Sequence, residues 1–442
     1  MDAVFLSRIQ FALAAGFHFI FPPLTLGMGL LIFINETIFL KTGNEMNKNI
    51  SKFLVKILAL VFSIGVATGI VLEFSFGTNW SNYSRIVGDI FGAPLAAEAI
   101  IAFFLESVFI GVLLFGREKV SERVYWLSAF LVFFGSHLSG LWIIIANSWM
   151  QTPAGFAIEG GRAVLTNFTD AAVNHSTIQR FMHTIVGGWI SGSLFMAGIA
   201  SYYLIKKRDT DYARPILRLA LIIFIATSFL QFATGHLHAV QVGKTQPVKM
   251  AAIEGLWDTK EGVPLSIWGF PVQSDKKTYL EIGVPKLLSI MLFGDPDAKV
   301  RGLNDFPEDV HPPVFIVFQT YHVMIGLGSL FALISAIGAL LMFRKKLYDT
   351  TWYLKVLLFA IPLPLISNEM GWMAAEIGRQ PWAVYNILRT ADAASVVVPA
   401  GQILFTIIMF SVLYLLLFYF FIKYLVNIVK KGPAELISKS GY

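Results

Sequence analysis

Residues 402–426 read QILFTIIMFSVLYLLLFYFFIKYLV, and Lys423 is their one charged side chain. A helix needs about 20 mainly apolar residues to cross hydrocarbon about 30 Å thick, because each residue rises about 1.5 Å. Working outward from this stretch, others in the chain meet the same requirement. Together they predict nine membrane-spanning helices, at about residues 11–39, 53–75, 91–116, 124–147, 181–205, 216–239, 313–343, 352–374 and 402–426.

The overall composition agrees with this prediction. Of 442 residues, 56% are hydrophobic and only 14% are charged, whereas soluble domains carry about 25% charged residues. We therefore expect an all-α integral membrane protein, a bundle of about nine transmembrane helices. The net charge of +6 bears on orientation and does not favour nucleic-acid binding. Because cysteine is absent, disulfides, thiolate zinc sites, cysteine-bound iron–sulfur clusters and c-type haem are excluded.

Basic residues are distributed unevenly between the two sides of the membrane. The connections after spans 1, 3, 5 and 7 and the C-terminal tail hold 20 of the 34 Lys and Arg residues, Lys439 of the tail among them. The positive-inside rule then places the N-terminus outside and the C-terminus in the cytoplasm. The chain divides into spans 1–6 at 1–239, an extracytoplasmic loop at 240–312, and spans 7–9 with a cytoplasmic tail at 313–442.

Two local features of the spans are also predicted. Met1–Gln10 is expected to form a short interfacial segment, and no cleavable signal peptide is evident. Pro362 and Pro364 lie inside span 8 and are expected to kink it, because proline cannot donate a helical hydrogen bond.

Five side chains able to bind a metal are expected at one depth, in the outer half of the bilayer. Ionisable groups in hydrocarbon cost several kcal/mol and usually face a cavity, a partner or a cofactor. Each also has a simpler interpretation, as a hydrogen-bonded group or, for the methionine, as a flexible core filler. The five come from different spans: His18, Glu98, His183, Met324 and Glu376.

A haem suits such a position, because a porphyrin needs an apolar slot between helices and takes imidazole or thioether ligands. His183 with Met324 fits a low-spin centre with two protein ligands. His18 and Glu376 have no evident strong second ligand and would leave iron open to a gas, as oxygen chemistry requires.

A second carboxylate follows on span 3. Glu106 lies eight residues beyond Glu98, which in a regular α-helix leaves the two side chains about 80° apart and about 12 Å along the axis. This spacing suits a proton relay toward the outer cluster, which Ser139 and His137 of span 4 are placed to extend. The alternative is that Glu106 is a protonated residue that only bridges helices.

The segment from Gly371 to Trp382 reads GWMAAEIGRQPW. It resembles the GWxxxExGRQPW signature of subunit I of the cytochrome bd-type quinol oxidases. Shorter segments extend the resemblance over almost the whole chain: SRIQFAL at 7–13, GAPLAAE at 92–98, FFLES at 103–107, GSHLS at 135–139, NSWMQ at 147–151 and KMAAIE at 249–254.

The resemblance implies roles for these residues. His183 and Met324 would be the axial ligands of a low-spin haem b. His18 and Glu376 would serve the oxygen-reducing site, which holds a high-spin haem b and either a haem d or a third haem b. Further roles are implied for Glu98 as an iron ligand or proton donor, Glu106 and Ser139 on the proton path, Trp372 and Arg379 beside the haems, and Lys249 and Glu254 at the quinol site.

Two departures from the family pattern stand out. Some members carry Arg two positions before the methionine ligand, where this chain has His322, which is cationic only when protonated. His322 is therefore expected near the low-spin haem, either beside a propionate or, less favoured, as a ligand. The outer loop is also short, as in the branch without a long insertion.

The resemblance implies a terminal oxidase that takes electrons from membrane quinol at the outer face and reduces O2 to water with cytoplasmic protons. This chemistry generates proton motive force without pumping. It also implies a second large membrane subunit, a small single-helix subunit as a further candidate partner, and a place in a bacterial or archaeal cell membrane. A haem–copper oxidase is disfavoured because no adjacent His-His pair exists. A proton-coupled transporter would explain the carboxylates but would leave the histidines and Met324 without a role.

Overall fold

The computed structural model describes residues 2–438; Lys439, counted above with the tail, lies outside them. Within the described residues, nine helical segments are long and apolar enough to cross a membrane, so the predicted all-α bundle is confirmed. In chain order, spans 1 to 9 are Ala3–Thr42, Glu45–Gly77, Ser81–Phe115, Glu122–Gln151, Thr177–Ile205, Thr210–Thr245, Val314–Phe343, Thr351–Ile377 and Ala400–Leu436.

Most spans extend beyond the predicted apolar stretches, because helical hydrogen bonding continues through polar residues. At the N-terminus the chain is helical from Ala3, and the interfacial position of Met1–Gln10 stays a prediction. A helix begins at Ala3 and runs to Phe19 as the first part of span 1. The Asp2 side chain caps it by accepting hydrogen bonds from the backbone N–H groups of Val4 and Phe5, each at 3.2 Å.

Three spans are irregular. Span 1 breaks after Phe19 and resumes as Pro22–Thr42, with proline at the first helical position. Span 8 consists of Thr351–Phe359 and Leu363–Ile377, so the interruption predicted at its prolines is confirmed. Span 3 joins Ser81–Ala97 to Phe104–Phe115 through a π-helical turn at Glu98–Phe103. Such turns are rare and often mark functional sites.

Span 5 lies at the centre of the bundle and is its most enclosed member. Its backbone touches the backbone of span 1: a Cβ atom on Gly27 would lie 2.6 Å from the Cα of Gly192. Only glycine permits such an approach. Large buried side chains, Phe21, Phe53 and Phe224 among them, fill the surrounding core.

Polar contacts tie the helices together at both ends of the bundle. At one end, Glu36 of span 1 pairs with Arg117 at 2.7 Å, and the Lys56 ammonium donates to the Leu436 carbonyl at 3.2 Å. At the other end, the Gln10 amide donates to Thr406 at 2.7 Å. A chain that crosses a membrane back and forth brings alternate connections to the same side, and these contacts join residues of such connections.

The connection between spans 6 and 7 is a folded layer. It starts later than predicted, because the helix of span 6 continues to Thr245. It contains the helices Pro247–Glu254 and Leu287–Phe293 and a hairpin of strands Leu265–Val272 and Lys277–Val284, which we call the outer hairpin. A small core of its own, with Trp257 and Leu303 buried, holds the layer together.

The remaining elements lie in the connections and are short. Antiparallel strand pairs form between Phe156–Glu159 and Arg162–Leu165, between Lys260–Glu261 and Lys299–Val300, and between Trp382–Val384 and Leu388–Arg389. Short helices occupy Phe168–Ala172 and Thr390–Ala393, with 3₁₀ turns at Leu303–Asp305 and Glu308–Val310.

Candidate functional site

His18 is held against span 2. Its Nδ1 atom lies 3.0 Å from the Thr68 hydroxyl, which itself donates to the Ile64 carbonyl at 2.9 Å. The Thr68 hydroxyl therefore accepts from Nδ1–H, and the Nε2 lone pair is the one available to a metal. A Cβ on Gly69 would lie 3.2 Å from the ring, so the glycine makes room for the imidazole.

His183 of span 5 has a similar environment against span 6. Its Nδ1 lies 3.3 Å from the Thr234 hydroxyl and 3.2 Å from the amide nitrogen of Gln231. A Cβ on Gly235 would lie 3.3 Å from its Cε1 atom. The His238 ring lies close by, with centroids 5.6 Å apart.

Met324 of span 7 is enclosed by span 8. A Cβ on Gly371 would lie 2.8 Å from its Sδ atom. One turn earlier on span 8, Asn368 lies beside Gly187, the residue one turn after His183; a Cβ on Gly187 would be 2.9 Å from the Asn368 Oδ1. Span 8 thus contacts the surroundings of both proposed low-spin ligands.

Glu376, near the end of span 8, lies in a dense polar cluster. Its Oε2 atom pairs with Arg379 at 2.5 Å. Its Oε1 atom accepts from Asn147 and from Gln151, each at 3.0 Å, and lies 3.8 Å from Arg180. Arg180 and Arg379 are both buried here and are not residues of solvated connections. Binding of iron by Glu376 would require one of these donors to release its oxygen.

The carboxylates of span 3 are arranged differently from the regular helix assumed above. The π-helical turn begins at Glu98 and ends before Glu106, so the angle and rise calculated for a regular α-helix do not apply. Glu98 accepts a hydrogen bond from Ser139 at 2.9 Å. Glu106 is buried, and its Oε1 atom has no partner among the described residues. The proton relay from Glu106 to Glu98 stays a prediction.

His137 is satisfied by its neighbours. Its Nδ1 lies 2.6 Å from the Phe133 carbonyl, and its Nε2 accepts from the Trp189 indole at 2.9 Å. A neutral imidazole with its proton on Nδ1 meets both partners. The ring is therefore fixed as a structural element of spans 4 and 5.

Lys249 and Glu254 lie on the same short helix, Pro247–Glu254, of the folded layer between spans 6 and 7, which we call the outer layer. Both are buried. The Lys249 ammonium donates to the Gln151 side-chain oxygen at 2.5 Å, and burial lowers the pKa of Lys249 well below its usual range. The Oε2 atom of Glu254 accepts from the Ser266 N–H at 3.2 Å, whereas its Oε1 is buried without a partner. Burial raises the pKa of Glu254 to about 8.

His322 joins span 7 to the outer hairpin. Its Nδ1 lies 2.8 Å from the Phe318 carbonyl and its Nε2 lies 2.9 Å from the Ser266 carbonyl. Each ring nitrogen faces a backbone oxygen, a neutral imidazole donates to one of the two, and direct ligation of iron by His322 would break one of these contacts. Trp372 of span 8 packs against Phe19, the residue after His18, with ring centroids 5.3 Å apart.

The metal-binding side chains do not converge on one point. Among residues 2–438, no group of three or more His, Cys, Asp or Glu could hold a bare metal ion. His18, His183 and Met324 instead occupy separate positions, each beside a glycine of a neighbouring helix. Buried polar atoms without partners accompany them: Arg180 Nε, Arg379 Nη1, Gln231 Oε1, His238 Nε2 and Glu369 Oε1. The two arginine nitrogens among them are cationic donors that fit the propionates of haem groups.

Several residues of the site were missed from the sequence. Gln151 links Lys249 to Glu376, and Ser266 holds Glu254. Glu369 lies in the membrane near His18, since a Cβ on Gly16 would be 3.5 Å from its Oε2. The one available signal was the NSWMQ segment, which contains Gln151 and was noted only as part of a resemblance.

The fold and these side chains define a multi-span membrane protein with imidazole, thioether and carboxylate groups arranged for redox cofactors. The family profile described as "Cytochrome bd terminal oxidase subunit I" matches residues 6–433. The chain therefore belongs to this family, and the predicted class, an oxidoreductase of the cytochrome bd type, is confirmed.

Individual proteins agree with this assignment. The chain is 38% identical over 443 residues to cytochrome bd ubiquinol oxidase subunit 1 of Bacillus subtilis strain 168, covering 98% of this chain and 94% of that protein. It is 34% identical to cytochrome bd-II ubiquinol oxidase subunit 1 of Escherichia coli K12, covering 99% and 98%. The solved bd oxidase from Geobacillus thermodenitrificans superimposes with a TM-score of 0.92 at 27% identity, covering 98% and 99% of the two chains.

Proposed function

We propose that this chain carries the quinol-oxidising and oxygen-reducing sites of a quinol:oxygen oxidoreductase. One observation carries the proposal. Lys249 of the outer layer donates to Gln151, and Gln151 donates to Glu376 in the bundle, so a single side chain separates the two. A residue proposed to bind quinol is thus hydrogen-bonded into the cluster of a residue proposed to bind haem.

His183 and Met324 are proposed as the two residues that would hold a low-spin haem b. His18 and Glu376, with Glu98 as a further candidate ligand, would serve a high-spin haem b and either a haem d or a third haem b. When bound, these groups supply one-electron transfer and oxygen activation. The protein's own part is to orient the ligands: Thr68 and Thr234 fix the imidazoles, and Arg379 is placed to neutralise a propionate.

At the quinol site, Glu254 is the proposed base. Its Oε1 atom is buried and unpartnered, while Oε2 is fixed by the Ser266 N–H, so the free oxygen can accept a hydroxyl proton from quinol. Lys249 is proposed to donate to a quinol oxygen and to stabilise negative charge that develops on it. The burial of both residues strengthens these interactions, because the local dielectric constant is low.

Protons for water formation are proposed to travel past Glu106 to Glu98 and Ser139. With the basic connections in the cytoplasm, the N-terminus and the outer layer lie outside and the C-terminus lies inside. Each electron that meets a cytoplasmic proton near the outer face then stores about 2.3 kcal/mol per 100 mV of membrane potential. The oxidase contributes to proton motive force in this way without a pump.

The chain is proposed to work with partners in the cell membrane of a bacterium or archaeon. Its relatives are named as subunit 1 of an oxidase, which implies a second large subunit. A small single-helix subunit is a further proposed partner.

A reduced-minus-oxidised absorption spectrum of the purified oxidase, with and without carbon monoxide, tests the proposal. We expect low-spin haem b bands that carbon monoxide leaves unchanged, and further haem bands that it shifts, since only open iron binds the gas. A folded, colourless preparation would contradict the oxidase assignment and would favour a proton-coupled transporter.

A further inference from the structure

Glu254 is enclosed, so a proton that it accepts needs a way out. Its side chain is only 3% exposed. The outer hairpin covers it: Ser266 of the first strand donates its N–H to the Glu254 Oε2 atom at 3.2 Å. The Ser266 hydroxyl lies 3.4 Å from the Glu254 carbonyl oxygen and donates to Glu281 Oε1 at 2.8 Å.

Glu281 reaches the surface. It lies on the second strand of the outer hairpin and is exposed to solvent. One residue, Ser266, therefore contacts a buried carboxyl with its backbone and an exposed carboxylate with its hydroxyl. Two other titratable groups lie near Glu254, but both belong to span 7 and not to the surface of the outer hairpin. They are Tyr321 and His322, and His322 faces the Ser266 carbonyl.

We propose that Ser266 and Glu281 form the exit through which the quinol proton leaves Glu254 for the aqueous surface of the outer layer. This inference rests on the proposed function of Glu254 as the quinol base. After Glu254 is protonated, its carboxyl group turns about its terminal torsion, which has a broad energy minimum. The acid proton passes to the Ser266 oxygen as the Ser266 hydroxyl proton passes to Glu281. One O–H bond breaks and one forms at each transfer, no electron moves, and Glu281 releases the proton to water.

Substitution of Glu281 by Gln tests the exit in the purified oxidase complex. Glutamine keeps an oxygen that accepts from Ser266 but cannot take up a proton. We expect turnover with a water-soluble quinol to fall about tenfold in Glu281→Gln and in Ser266→Ala. Added imidazole, a small proton carrier, should restore the rate of Glu281→Gln. The matched control is Asp275→Asn, which removes an exposed carboxylate from the turn of the same hairpin and should leave turnover unchanged.

The outcomes separate the exit from the quinol site itself. If Glu254→Gln loses quinol turnover while Glu281→Gln keeps the wild-type rate, the exit is wrong and the quinol base stands. If Glu254→Gln keeps its turnover, the proposed quinol base is wrong. A slow Glu281→Gln that imidazole does not restore would show that Glu281 only supports the hairpin, and would also overturn the exit.

Discussion

Met324 and Gly371 lie in direct contact across spans 7 and 8: a Cβ atom on Gly371 would be 2.8 Å from the Met324 sulfur. No side-chain carbon fits at that distance, so the sulfur must move when residue 371 carries one. We expect Gly371→Ala to shift or remove the low-spin haem b band in a reduced-minus-oxidised spectrum.

The matched control for this substitution is Gly326→Ala. Gly326 lies on the same helix as Met324, and a Cβ there meets nothing within 4 Å. Alanine favours a helix over glycine by about 1 kcal/mol, so neither change should weaken helix formation. An unchanged low-spin band in Gly371→Ala would argue against Met324 as the ligand.

Removal of a proposed haem ligand should affect the signal of one haem only. We expect His183→Ala and Met324→Leu to abolish the low-spin signal and to leave the other haem bands, because His18 contacts span 2 and His183 contacts span 6. The measurement is the same difference spectrum. Loss of every haem band at once would mean that the substitution disrupts the bundle rather than one ligand.

Quinol oxidation should depend on pH through Glu254. Burial raises the pKa of this carboxyl to about 8, and only its deprotonated form accepts a quinol proton. Quinol-dependent oxygen uptake should therefore rise about tenfold per pH unit well below 8 and level off above it. Reduction of the haems by an artificial electron donor serves as the control and should not follow this profile. Glu254→Ala should lose quinol turnover and retain reduction by that donor.

Proton delivery should depend on Glu106. Its buried Oε1 atom has no described partner, and Gln at this position cannot release a proton. We expect Glu106→Gln to lower oxygen reduction about 100-fold with unchanged haem content. Ser107→Ala alters the half-buried neighbouring position, where the hydroxyl contacts only its own helix, and should be neutral. Full turnover in Glu106→Gln would show that Glu106 only bridges helices and does not deliver protons.

The ion pair of Glu36 and Arg117 should matter for stability. The two atoms are 2.7 Å apart, and the side chains are 1% and 9% exposed. Removing one partner leaves a buried charge, so Arg117→Met should cost about 3–5 kcal/mol and lower the unfolding temperature in detergent. Lys48→Met, which breaks an exposed pair with Glu45, should have little effect. Adding Glu36→Gln to Arg117→Met should recover part of the loss.

The spans were predictable because each stretch must by itself be apolar and long enough to cross the hydrocarbon of the bilayer. The interruption near Pro362 followed from the missing donor of proline. The π-helical turn at Glu98–Phe103 did not follow, because it alters a helix whose apolar character is the same in either form. The sequence also gave no sign that Gly27 and Gly192 touch, since they are far apart along the chain.

The proposed site residues could be identified from the sequence, whereas the contacts between them could not. His18, His183, Met324 and Glu376 were identified by depth and by resemblance. Gln151 and Ser266 are ordinary polar residues, and their importance comes from partners that only folding brings near. Arg180 is likewise buried in the Glu376 cluster through contacts that only folding creates.

The contact between Gly27 and Gly192 has a consequence for electron flow. His18 precedes the first glycine by nine positions, and His183 precedes the second by nine. His183 and Gly192 lie on one unbroken helix, whereas the interruption after Phe19 separates His18 from the helix that carries Gly27. Electron tunnelling slows steeply as a gap widens, and the main-chain contact fixes the height of span 5, and of His183 on it, against the helix Pro22–Thr42.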